Sequence, residues 1–205
     1  MSDPVPSRFA RLARLERSAR LRGDPAMGFS LVEMIILAAL VTLAATLALP
    51  LIRTTVDYYD AEAALQLVAA QLRRAAQEAI DMRRRTRVVF EAPNRVITAR
   101  YEAGSWRTVG EYTLPGGFEF HIDPALPTSE DATPDGLGAS AAVDFAGDNE
   151  IYFLPDATAV NASGQVTSGI VYLGRPGEPS TARAVTVFGT TARVRAWRFV
   201  EGKWQ

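Results

Sequence analysis

Glu33 stands alone among apolar side chains, as the only charged residue in the 21 residues 29–49. A carboxylate five positions into an apolar helix is costly in lipid and calls for a cation. Cutting the chain after Gly28 would supply one, because the cut frees an α-amino group on Phe29. In a staggered stack of such helices the amine of one chain meets the carboxylate of another. The chemistry these residues suit is therefore charge pairing between chains.

The other reactive residue types form no catalytic constellation. His121 is the only histidine and cysteine is absent, so a triad lacks its parts and no thiol can act as nucleophile or ligand. His121 sits beside Glu119 and Asp123 in a strand-like run and reads as a structural side chain. Ser163 and Ser168 lie in turn-rich sequence without a nucleophile-elbow pattern. Glu130, Asp131, Asp135, Asp144 and Asp148 offer the oxygen ligands that calcium takes, but their spacing matches no EF-hand, and solvated acids are expected. No metal, no cofactor and no enzymatic activity are expected.

Arg193, Arg195, Arg198 and Lys203, interleaved with Trp197, Phe199 and Trp204, are the nearest approach to a nucleic-acid surface. Cations beside stacking platforms hold single strands. Alternation puts Arg193, Arg195 and Trp197 on one strand face. An edge strand carrying solvent-facing arginines has the same pattern. Residues 29–205 hold 16 basic against 20 acidic side chains, a net of −4, which opposes broad attraction to DNA.

These residues need elements to carry them. At about 1.5 Å per residue, the 21-residue run reaches roughly 31 Å as a helix, the thickness of a bilayer's hydrocarbon core. An ordinary secretory signal has an apolar stretch of about 7–15 residues ending in a small-x-small site; this run is longer and holds Glu33. Residues 1–28 carry six arginines against Asp3, Glu16 and Asp24, a net of +3. The positive-inside rule keeps that leader in the cytoplasm and exports the C-terminal part. Lack of cysteine is compatible with the periplasm.

Pro50 ends the apolar run and is expected to kink or loosen the helix. Beyond it, Val56, Tyr59, Ala63, Leu65, Val68, Leu72, Ala76 and Ala79 recur at three-to-four spacing, predicting an amphipathic helix to about Arg83. From Thr86 the period becomes two. One hairpin is expected across Ala92-Pro93-Asn94, and a second joining residues 106–114 to 118–122 across Pro115-Gly116-Gly117. Residues 123–147 should form an exposed loop. Strands follow at 150–154, 169–173, 183–188 and 192–200. The expected organisation is a basic leader at 1–28, a transmembrane helix at 29–49, its amphipathic continuation at 50–85 and a β-rich head at 86–205.

The glycine, aromatic residue and glutamate of Gly28-Phe29-Ser30-Leu31-Val32-Glu33, with the apolar run and Pro50, resemble the class III signal peptide of type IV pilins and type II secretion pseudopilins. Ile151-Tyr152-Phe153-Leu154-Pro155-Asp156, Gly169-Ile170-Val171-Tyr172-Leu173, Ala184-Val185-Thr186-Val187 and Arg193-Val194-Arg195 are similar to the C-terminal region of the GspH/FimT group of minor pseudopilins. Two positions depart: Ala157 and Ala192 stand where that group commonly has glycine. The resemblance implies an α+β, pilin-like fold, with a long N-terminal helix packed on antiparallel sheet. It implies cleavage between Gly28 and Phe29 by a prepilin peptidase, N-methylation of Phe29, and Glu33 acting in filament assembly. It implies other pseudopilins and an inner-membrane assembly platform as partners, and a single-pass inner-membrane protein with a periplasmic head. Its alternative is a type IV pilus minor pilin that contacts DNA through Arg193, Arg195 and Arg198.

Overall fold

The computed structural model describes residues 30–127, 132–138 and 141–205, with the side chains of 47–54 left out. The leader, Gly28 and Phe29, and Glu130 and Asp131 of the loop lie outside the described residues. Among the described residues, one α-helix, α1 (Leu31–Met82), is followed by ten strands in an α+β arrangement. By internal contacts the chain divides into Met1–Pro50 and Leu51–Gln205.

In the first unit every described side chain from 30 to 46 is exposed. Its apolar residues cover the whole circumference, with Leu31 at 75% exposure and Val41 at 67%. Its hydroxyls are consumed internally: Thr42 donates to the Ala38 carbonyl at 2.7 Å and Thr46 to that of Leu43 at 2.8 Å. The described apolar stretch stops short of the roughly 20 residues a span requires, and no described helix is long and apolar enough to cross a membrane. The helix runs through Pro50, whose side chain lies outside the described residues.

In the second unit the helix buries Ala61, Ala64, Leu65, Val68, Ala69, Leu72, Ala75 and Ala79. This stripe is rotated from the one the sequence suggests: Val56, Tyr59 and Ala63 are exposed. Small alanines win the inward positions because they let strands approach the helix axis closely. The helix ends in a Schellman motif. Arg83 takes φ 50°, its N–H reaches the Ile80 carbonyl at 3.3 Å, and the Arg84 N–H reaches that of Ala79 at 3.2 Å. The basic cluster thus marks the helix end, as its position predicts.

Two five-stranded antiparallel sheets complete this unit. The first has the order β3-β2-β1-β5-β6, from β1 (Thr86–Glu91), β2 (Arg95–Glu102), β3 (Ser105–Thr113), β5 (Glu150–Phe153) and β6 (Ala159–Val160). The second has the order β10-β9-β8-β7-β4, from β4 (Val143–Asp144), β7 (Gly169–Arg175), β8 (Glu178–Phe188), β9 (Arg193–Val200) and β10 (Lys203–Trp204). Val88, Phe90, Val96, Ile151 and Phe153 of the first sheet and Val171, Leu173, Val185 and Val187 of the second share one core with the helix.

The first predicted hairpin forms, with Glu91 opposite Arg95. The second does not. Residues 106–113 pair back onto β2, with Glu102 opposite Ser105. The turn is Ala103-Gly104, both at positive φ (50° and 88°), the two-residue geometry that suits strand twist. Pro115-Gly116-Gly117 packs on α1 instead: a Cβ at Gly116 would lie 2.5 Å from the Asp60 carboxylate, so only glycine allows this approach. Residues 118–122 form no strand beyond the single bridge Glu119 to Gly174. The loop from 123 also departs from expectation. Asp123, Leu126 and Thr133 are buried, and Leu137 packs with Ile122, Trp197 and Trp204 over Ile170, Tyr172 and Ala184 on the second sheet. A long loop covers a satellite core here instead of standing in water.

Candidate functional site

The first candidate is the surface of α1 before Pro50. Glu33 occupies its first turn, where a carboxylate suits the helix dipole, and is exposed. Around it Leu31, Val32, Met34, Ile35, Ile36 and Leu37 are all at least 45% exposed. Among the described residues of this unit nothing covers them, so the surface is apolar with a single exposed acid.

The second candidate is the acidic flank of the helix from Asp57 to Glu78. Three strand arginines occupy it. Arg198 grips Glu62 with Nε at 2.8 Å and Nη2 at 2.7 Å, a bidentate fork. That hydrogen bonding, opposed by desolvation and aided by Gln66, holds the Glu62 carboxyl down at about 2. Arg175 bonds Asp57, Asp60 at 2.9 Å and the Gly116 carbonyl at 2.7 Å. Arg100 bridges Glu78 and Glu102. Hydrogen bonding to Glu102 raises the Arg100 pKa, as Asp57 raises that of Arg175. The chemistry of this cluster is positional, fixing the rotation of α1 against both sheets. The only sequence hint was acids on the helix answered by arginines in strands, a pattern without fixed spacing.

Arg193, Arg195 and Arg198 do not converge. Arg193 and Arg195 point to the outer face of β9, Arg193 4.5 Å from the Phe188 ring centroid and Arg195 4.4 Å from that of Trp197. Arg195 also pairs with Asp135, whose carboxylate accepts from Thr186 as well. Arg198 faces the helix and is held by Glu62. Two of the three cations are therefore neutralised within the chain. Trp197 Nε1 donates to Thr186 at 3.1 Å, so its ring is fixed too. Lys203 and Trp204 form β10 with Trp204 opposite Phe199.

The remaining residues have local roles. The His121 N–H bonds the Tyr172 carbonyl at 3.3 Å. Asp144 accepts from the Gly147 N–H at 2.9 Å and Asp148 from that of Ala162 at 3.3 Å. Among the described residues no group of three or more acidic or histidine side chains is placed to hold a metal ion. Ala157 and Ala192, the two departures from glycine, both sit at positive φ, 66° and 47°. The buried Tyr172 hydroxyl has no partner, and burial pushes its pKa up to about 12.

No family model and no curated protein matches the chain. Among solved structures it is similar to the type IV minor pilin FimU of Pseudomonas aeruginosa strain PAO1, with 12% identity and a TM-score of 0.47 over 70% of this chain and 91% of that one. It is also similar to the minor pseudopilin EpsH from the type 2 secretion system of Vibrio cholerae, with 16% identity and a TM-score of 0.44 over 68% of this chain and 97% of that one.

Proposed function

We propose that the chain is a minor pseudopilin, a structural subunit of a type II secretion pseudopilus that serves protein export across the outer membrane. The observation that carries this reading is the described helix before Pro50, with large apolar residues on every side, exposed, and charged only at Glu33. Such a surface has no use in water and two uses in a membrane: contact with lipid and contact with like helices. Water-exposed burial equivalents of about 1.5–3 kcal/mol per large side chain make either use strongly favourable.

The reading has three steps. A prepilin peptidase hydrolyses the Gly28–Phe29 bond, and Phe29 is N-methylated. Glu33 then pairs with the Phe29 amine of a neighbouring subunit, and Pro50 gives the stalk a kink. Stacked helices place the heads on the periplasmic side of an inner-membrane filament, built with other pseudopilins on an assembly platform. No chemical step falls to this chain's own side chains.

Mass spectrometry of the protein from its native host tests the first step, with an N-terminus at Phe29 expected; an intact precursor overturns the reading. The alternative, a type IV pilus minor pilin that binds DNA during uptake, needs free cations on β9. The ion pairs of Arg195 with Asp135 and Arg198 with Glu62 count against it. Salt-dependent DNA binding lost on Arg193→Ala would restore it.

A further inference from the structure

Arg183 is a cation on the inner side of the second sheet that is only 3% exposed. Its Nη1 donates to the carbonyls of Ala182 at 2.8 Å and Ser180 at 3.4 Å. Its Nε is buried without a partner. Among the described residues no ion pair within 4.0 Å holds it; the acid whose charge acts on it, Glu62, is already committed to Arg198. The contrast with Arg100, Arg175 and Arg198 is plain, since each of those has its acid. Burying a charge without a counter-ion is expensive and persists where something supplies one.

Arg183 lines a cavity of about 500 Å³ with Asp57, Tyr58 and Ala61 of α1 and Glu178 and Pro179 of the β7–β8 hairpin. That size lies in the range of about 300–1,000 Å³ typical of ligand sites. We propose that this cavity seats a carboxylate side chain of a neighbouring protein subunit, received by the Nε and Nη2 edge of Arg183. A guanidinium edge with two parallel N–H groups matches a planar carboxylate. The Tyr58 ring, Ala61 and Pro179 provide apolar walls for a methylene stem. Asp57 and Glu178 at the same cavity disfavour a doubly charged phosphate, and the singly charged phosphodiester of a lipid is an outcome of the test below. Burial also lowers the Arg183 pKa, the direction a seated anion reverses.

The proposal deepens the assembly reading by naming one subunit contact, and its test separates the two. The full chain in detergent micelles is titrated with butyrate, which carries the carboxylate and stem of a glutamate, while the Arg183 Nε–H resonance is followed. A saturable shift is expected with butyrate and none with the neutral isostere butyramide. Arg183→Met, which removes an uncompensated cation, should fold with undiminished stability and bind butyrate about tenfold or more weaker. No shift, an equal response to butyramide, or binding retained in Arg183→Met overturns the proposal. Inorganic phosphate binding more tightly than butyrate, or a shift on transfer to phosphatidylglycerol nanodiscs alone, assigns the seat to phosphate and overturns it equally. In filaments, Arg183→Met should reduce crosslinks to partner subunits about tenfold. Normal crosslinking of that variant, with Glu33→Ala defective, sinks this contact and leaves the assembly reading standing.

Discussion

The helix α1 carries two unlike surfaces in one element. Residues 31–46 present leucine, isoleucine, valine and methionine on all sides, every one exposed. Residues 61–79 present an alanine-rich stripe on one side, fully buried, with acids at its flanks held by strand arginines. A helix that is apolar all round suits a surrounding that is apolar all round, whereas a narrow stripe of small residues suits a partner that approaches from one side and closely. Side-chain size records the distance of the neighbour, and the angular width of the apolar surface records how many directions it comes from.

The largest effect expected from breaking this contrast is at Glu33. Glu33→Ala removes one member of a pair proposed to be buried, and losing such a partner costs about 3–5 kcal/mol. The variant should insert and be cleaved, yet crosslink to neighbouring subunits on the order of a hundredfold less; unimpaired crosslinking contradicts the reading. Next is the packed half. Leu72→Ala should destabilise the head by about 2–5 kcal/mol in chemical denaturation, because Leu72 is fully buried. Leu40→Ala, on the exposed half, should leave that transition unmoved.

A smaller effect sharpens the role of the arginine clamps. The Glu62 carboxyl is held at about 2 against its ordinary 4.5, chiefly by Arg198. A depressed folded pKa contributes stability that is fully present above the unfolded value and is lost as pH falls toward the folded one. Denaturation midpoints should therefore fall between pH 4.5 and about 2, by an amount screened to ~1 kcal/mol at this partly exposed site. Arg198→Met should flatten that slope; an unchanged pH profile in the variant would show that Glu62 is not the group responsible. The smallest change is a gain. Ala157→Gly and Ala192→Gly relieve left-handed alanines that cost roughly 1–2 kcal/mol each, less the entropy glycine loses, for a net of ~0.5 kcal/mol each. Thermal unfolding of the double variant measures it, and a lower midpoint would contradict strain at these two alanines.

Much of this architecture was legible along the chain. The helix to within a residue of Arg83, the Ala92-Pro93-Asn94 hairpin and the four C-terminal strands follow from period and turn chemistry. The failures have identifiable causes. Ala103-Gly104 is a short turn whose first residue takes positive φ without being glycine, asparagine or aspartate, so the more conspicuous Pro115-Gly116-Gly117 reads as the hairpin. The loop from 123 lacks periodicity, yet Leu126 and Leu137 anchor it, because irregular segments bury single side chains in no repeating pattern. At β9, alternation rightly separated Arg195 from Arg198, but it gave no sign that Asp135 and Glu62 would claim them.

Local rules of spacing and size set where the helix and strands lie, the exposed apolar run with its single acid, and the residue pair at which cleavage is expected. Those depend on neighbours a few positions away, and a chain carries such information in order. Tertiary structure alone decided which face of α1 turns inward, which arginine meets which acid, and that Arg183 is left without one. The ion pairs that strand arginines make with α1 join residues 22 to 136 positions apart, and at such separations the partner is chosen by how the sheets close over the helix.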